Sequence, residues 1–266
     1  MLIGAQRSLI RSPAVISAAF SPLDYSPSLW IDPSDASTLF QSNAGTTAAA
    51  IDTDPVGYAA DKSGNGFHIT STGDDTTRPL LQGVGVYPYL DFDGSNDKLR
   101  RVANLGLFTG GTCSIFLAVK GNPTTSKYLV AETTNFALAG YVISSNVTAS
   151  TSNMFVRCED GATTLIGNGF LTEANAFDNT DNVFGVTDSG TVVTSYLDGV
   201  SSDNYGYTRS GTLVPTKFCL GAELRGAGAS FFAARVYGLI CYPTVLDSGQ
   251  IANVVTWLGA KMGRTL

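Results

Sequence analysis

The chain has 266 residues and a formal net charge of −6, with 14 % of its residues charged. This length supports one large domain whose core needs no staples, and the acidic balance, with arginines scattered apart from Arg100 and Arg101, leaves no basic face for phosphates and excludes nucleic-acid binding. The longest apolar runs, near 114–119 and 231–242, are too short or too interrupted by Arg235 to span a bilayer as helices, so no membrane insertion is expected.

Residues 1–22 open with Arg7 and Arg11 before a short apolar patch, the outline of an export signal, but Pro13 and Ser17 interrupt it. The segment reads better as an extended arm whose Leu2, Ile3, Leu9, Ile10, Val15 and Ile16 need a docking surface on a partner. The body is expected over 23–266. It begins with a strand at Leu29–Ile31, then Asp35 caps a short helical turn through Leu39. Brief β-type runs follow at 89–92, 113–120, 128–132, 141–144, 154–158, 183–187, 192–197, 217–220 and 231–242, with turn signals such as "KGNP", "DSGT" and "LDGV" between them. Many short strands with hairpin punctuation predict an all-β, two-sheet antiparallel sandwich. One helix is predicted at 247–263: Asp247 and Gln250 form a capping box, Leu246 staples Ile251, and Ile251, Val254, Val255, Leu258 and Met262 make one apolar stripe ending at Gly263.

Cys113, Cys158, Cys219 and Cys241 each sit inside an apolar run with no C-x-x-C pair, and read as small buried hydrophobes; Cys219 with Cys241 is the first pair to test for a bridge. In "YLDFDGSNDKL", Leu90 and Phe92 alternate with Asp91 and Asp93, so the carboxylates point away from the core and Asp93-Gly94 opens a hairpin turn. Asp91, Asp93 and Asp97 form only part of a calcium loop, because Lys98, Arg100 and Arg101 stand where a bidentate Glu is needed. No cofactor is expected beyond that partial calcium set. The glutamates Glu132, Glu159, Glu173 and Glu223 are too scattered for paired-carboxylate hydrolysis. His68 is the only histidine, no G-x-S-x-G elbow or phosphate loop occurs, and "GNG" at Gly64–Gly66 reads as a turn. The sequence thus predicts no enzyme. For ligand contact it offers "SSDNYGYTRSG", a polar loop setting Tyr205 and Tyr207 on one side near Asp203, Asn204 and Arg209, groups able to stack on sugar rings and bond their hydroxyls.

"ADKSGNGFHIT" at 60–70, "LDFDGSNDKL" at 90–99, "SYLDGV" at 195–200 and "ARVYGLICYPTVLDSGQIANVVTWL" at 234–258 together resemble the laminin-G-like jelly rolls of the concanavalin A-like lectin and glucanase superfamily. "LWIDPSDASTL" at 29–39 resembles the opening of a variant found in bacteriophage particle proteins and bacterial surface proteins. The resemblance implies a sandwich that binds glycans or proteins, without the acidic catalytic strand of the glucanases. The function expected is a bacteriophage virion structural protein, in head decoration or in the tail, neck or fibre, anchored to other virion proteins by the arm and assembled as a homo-oligomer such as a trimer. The alternative is a module that contacts host surface glycans.

Overall fold

A computed structural model of the chain describes residues 20–71, 77–107, 109–121, 123, 127–134, 139–146, 153–159, 164–166, 172–173, 177–208, 214–222 and 230–266. The expected arm lies outside them, apart from Phe20 and the residues that follow it. In chain order the strands are β1 (Leu29–Ile31), β2 (Leu39–Phe40), β3 (Tyr58–Ala59), β4 (Ile69–Thr70), β5 (Leu80–Gln82) and β6 (Tyr89–Asp93). Then come β7 (Leu99–Arg101), β8 (Cys113–Gly121), β9 (Tyr128–Thr133), β10 (Ala139–Asn146), β11 (Asn153–Glu159) and β12 (Thr164–Ile166). The last are β13 (Thr172–Glu173), β14 (Asn182–Asp188), β15 (Val192–Leu197), β16 (Val200–Gly206), β17 (Lys217–Leu220) and β18 (Ala233–Tyr242), followed by helix α1 (Ser248–Lys261).

Two antiparallel sheets result, as the sequence predicts. One has the order β16-β15-β14-β8-β18-β6-β5 with β1 also on β18; the other runs β12-β11-β10-β9-β17-β7-β4-β3-β2, with β13 on β11. The centre of the first sheet explains why β8 reads as an unbroken apolar run. Ile115, Leu117 and Val119 face the core between the sheets, whereas Phe116 and Ala118 face the helix. With both faces covered, alternation with polar residues disappears. Burying each such side chain contributes about 1.5–3 kcal/mol. Gly185 on β14 lies beneath Phe116, where an added Cβ would stand 2.1 Å from the ring, so this strand position accepts no side chain.

Helix α1 forms as its local sequence dictates. The Asp247 carboxylate accepts from Gln250 N at 2.9 Å and Gln250 Oε1 accepts from Asp247 N at 2.9 Å, while Ile251, Val254, Val255, Leu258 and Met262 lie buried on the first sheet. Two charge clusters fix its far end. Asp32, buried, takes Lys62 at 3.2 Å and Lys261 at 3.1 Å, and those ammonium groups lie over the rings of Trp30 and Trp257 respectively. Arg264 meets Asp198 through two bonds of 2.9 and 2.7 Å. Among the described residues no helix is long and apolar enough to cross a membrane.

The Cys219–Cys241 bridge does not form. Cys219 pairs with Ala131 and Arg100 in the second sheet, outside the main core, while Cys241 faces that core from the first sheet as a free, buried thiol. Desolvation pushes that thiol well above its ordinary pKa, so Cys241 behaves as a small hydrophobe.

Candidate functional site

The turn "DKSGNGFH" builds a cleft, and Asp61 is its hub. Its Oδ1 accepts from Trp30 N at 3.0 Å and Ser63 N at 2.8 Å; its Oδ2 accepts from the Ser63 hydroxyl at 2.6 Å and Phe67 N at 2.9 Å. A short polar side chain that captures its neighbours' amides is the ordinary device of a tight turn, but here one of the donors, Trp30, lies on β1. The Asp61 amide donates to His68 Nδ1 at 3.0 Å, which places the imidazole proton on Nε2. Gly64 and Gly66 take φ of +90° and +70°, and the loop between them carries Asn65 over the chain that enters β1. There Asn65 Nδ2 donates to Pro27 O at 2.9 Å and Ser28 O at 3.2 Å.

Opposite this loop, Ser21 caps a short 3₁₀ turn at Pro22–Tyr25, and Ser26 ends it in the left-handed region at φ 52°. Between the two lies a cleft of about 490 Å³ lined by Leu23, Ser26, Pro27, Ser28, Ser63, Asn65, Phe67 and Pro243. Its volume falls within the roughly 300–1,000 Å³ of small-molecule sites. Hydroxyl and amide groups share the lining with apolar surface, and none of the lining side chains carries a charge. Beside it, the Arg101 guanidinium lies over the Phe67 ring at 4.0 Å and donates to Gly66 O at 3.3 Å. The cleft holds no nucleophile–base pair: the Ser63 hydroxyl donates to Asp61 and Ser28, and the His68 nitrogen that could accept is taken by the Asp61 amide. The arrangement therefore suits binding better than acyl transfer.

The hairpin expected at 89–99 does not form: β6 pairs with β5 and β18 in the first sheet and β7 with β4 and β17 in the second, so the Asp93–Asp97 turn carries the chain from one sheet to the other, and its aspartates serve that crossing. Leu90 and Phe92 are buried and Asp93 is exposed, as alternation predicts. Asp93 Oδ1 accepts from Ser95 N at 2.7 Å and Asn96 N at 3.2 Å, while Asp97 Oδ2 accepts from Asp93 N at 2.8 Å. Asp91 stands across the sheet from Arg235. Burial pushes the Asp97 carboxyl up to about 6, with Asp93 and Asp91 adding repulsion, and burial also raises Asp91. Among the described residues no group of three His, Cys, Asp or Glu side chains could hold a metal ion, so the calcium expectation for Asp91, Asp93 and Asp97 finds no support in their placement.

The segment expected as a polar loop at 201–211 is instead strand β16 as far as Gly206, paired with β15 from Val192↔Gly206 to Leu197↔Val200. Pairing overrides its weak strand propensity. Asn204 is exposed, whereas Tyr205 and Tyr207 are half-buried and pack on the main core. The Tyr207 hydroxyl donates to both oxygens of buried Asp188 at 2.7 Å, and Asp203 Oδ1 accepts from Asn204 N at 2.9 Å. Asp203, Tyr205 and Tyr207 lie at alternate positions and share one side, with both rings turned onto the core, while Asn204 lies on the other side. Arg209 lies outside the described residues.

Sequence reasoning missed the cleft, although its signal was present in Asp61 followed by Ser63, Gly64, Asn65 and Gly66. No protein-family model and no curated protein matches the sequence. Solved structures do match. The binding domain of botulinum neurotoxin DC in complex with rat synaptotagmin II has a TM-score of 0.61 at 11 % identity, over 89 % of this chain and 52 % of that one. The same domain in complex with SialylT gives 0.58 at 12 % identity, over 90 % and 52 %, and the receptor binding domain of the botulinum neurotoxin C/D mosaic serotype gives 0.61 at 11 %, over 92 % and 55 %. The chain spans about half the length of these neighbours, and at such identities the likeness shows one thing, a shared β-sandwich fold.

Proposed function

We propose that the chain is a non-enzymatic binding module that contacts glycans through the cleft between the 3₁₀ turn at Pro22–Tyr25 and the Asp61–His68 loop. The observation that carries this reading is the lining itself: uncharged hydroxyl and amide groups of Ser26, Ser63 and Asn65 beside the apolar faces of Leu23, Pro27, Phe67 and Pro243, the mixture a sugar ring requires. The fold neighbours lend support, since one is described in complex with SialylT and another structure is described as showing that cell entry of botulinum neurotoxin type C depends on interaction with two ganglioside molecules. A glycan array tests it. Wild-type protein should bind a subset of glycans, a Leu23→Asp, Asn65→Ala double variant should lose them, and Asn204→Ala on the exposed side of β16 should keep them. A blank array with folded protein would remove the reading.

The virion role is a second, compatible reading, favoured by the resemblance of residues 29–39 to particle proteins and by the apolar composition of residues 1–22. In it the sandwich is displayed on a bacteriophage particle, docked through the arm, as a homo-oligomer. Deleting residues 1–22 should abolish incorporation into particles while the body still folds; unaffected incorporation would discard it.

A further inference from the structure

Resting on the glycan reading, we infer that the cleft selects an uncharged sugar bearing an acetamido group over both the parent hexose and acidic sugars. Three features of the lining carry this. First, Asn65 commits its amide nitrogen to Pro27 O, Ser28 O and the Ser63 hydroxyl, and among the described residues its Oδ1 accepts no hydrogen bond. Asn65 lines the cleft, and its Oδ1 is an acceptor open to an N–H or O–H and one that repels a carboxylate. Second, the Ser26 hydroxyl makes no hydrogen bond among the described residues and also lines the cleft, so it can donate to a carbonyl oxygen. Third, Leu23, half exposed, and Pro243, exposed, leave apolar surface beside these polar groups.

An acetamido group supplies the matching set in one substituent: an N–H for Asn65, a carbonyl for Ser26 and a methyl for the apolar wall. A plain hexose hydroxyl can satisfy one polar partner and leaves the apolar wall uncovered. An acidic sugar meets no cation in the lining itself, and the one described beside it, Arg101, is held over the Phe67 ring and donates to Gly66 O. Asp61, the carboxylate behind the loop, is saturated by its four donors, and the chain as a whole carries a formal charge of −6. Filling an apolar pocket with one extra methyl-sized group is worth roughly tenfold or more in affinity.

The test is a calorimetric or NMR titration of the full chain with N-acetylglucosamine and N-acetylgalactosamine oligosaccharides, the corresponding glucose and galactose oligosaccharides, and sialyllactose. The acetamido sugars should bind roughly tenfold or more tightly than their parents, with sialyllactose no tighter than the parents. Leu23→Ser, a change at a half-exposed position that leaves the core intact, should shrink the acetamido preference while plain hexoses bind as before. Equal binding of acetamido and plain sugars, or tightest binding of sialyllactose, overturns the selectivity and leaves the glycan reading standing. Absence of binding to every sugar overturns both.

Discussion

Two turns of this molecule use nearly the same residues, Asp-Lys-Ser-Gly-Asn at 61–65 and Asp-Gly-Ser-Asn-Asp at 93–97, and reach opposite ends. At Asp93 the bonds are local: its carboxylate accepts from residues two and three ahead, and Asp97 returns to the Asp93 amide. The product is a turn that passes the chain from β6 in one sheet to β7 in the other and nothing more. At Asp61 the same capture of nearby amides is joined by Trp30 N, an amide 31 residues upstream. One long-range bond makes the turn a bracket between the entry to β1 and the strand that follows, and a cleft opens in the angle. Composition alone does not distinguish a turn that only joins two strands from one that frames a site; the reach of the acceptor does.

That contrast can be broken most severely at Asp61. Asp61→Ala strands the buried amide of Trp30 and the part-buried amide of Phe67 and should cost about 2–5 kcal/mol, read as a lower denaturation midpoint with loss of any ligand binding. Tyr207→Phe sharpens the comparison from outside both turns. It deletes the hydroxyl that faces Asp188 and should cost about 1.5–3 kcal/mol, the range for bonds to charged groups, with glycan binding unchanged.

The smallest effect, of opposite sign, belongs to the Asp93–Asp97 turn. The Asp97 carboxyl titrates near 6 in the folded protein, above its ordinary value of 3.8, so the fold favours the protonated form. Stability should therefore be fully present below about 3.8 and decline as pH rises through 6, levelling above it. Asp97→Asn keeps an acceptor for the Asp93 amide and removes the desolvated charge. It should be stabilising at pH 7 by about 1 kcal/mol, less than the roughly 3 kcal/mol of the shift alone because an amide oxygen is a weaker acceptor for the Asp93 N–H than a carboxylate, and should flatten the pH dependence between 4 and 7; a destabilised variant would mean that the ionised carboxylate matters to the turn.

Legibility followed the range of the interactions. Helix α1 was readable down to its cap because Asp247, Gln250 and the stripe from Ile251 to Met262 are local features. Strands β8, β14, β15 and β17 were readable as apolar runs, and the buried thiol of Cys241 matched its apolar setting. The two- and three-residue strands β2, β3, β5 and β7 left no trace, since they exist only through partners distant in sequence. Strand β16 misled for the same reason: "SSDNYG" has loop composition, and pairing with β15 makes it a strand that turns Tyr205 and Tyr207 onto the core. The cleft was hidden because its walls come from residues 23–28, 63–67 and 243. Its hub was visible only as a turn residue.

Amide chemical-shift mapping of the isotope-labelled full chain, titrated with an N-acetylglucosamine oligosaccharide, tests the central claim most directly. The account predicts shifts concentrated at Ser26, Ser63, Asn65 and Phe67, abolished in Leu23→Asp, Asn65→Ala. Shifts confined to Val200–Gly206 or to Tyr89–Asp97 would contradict it.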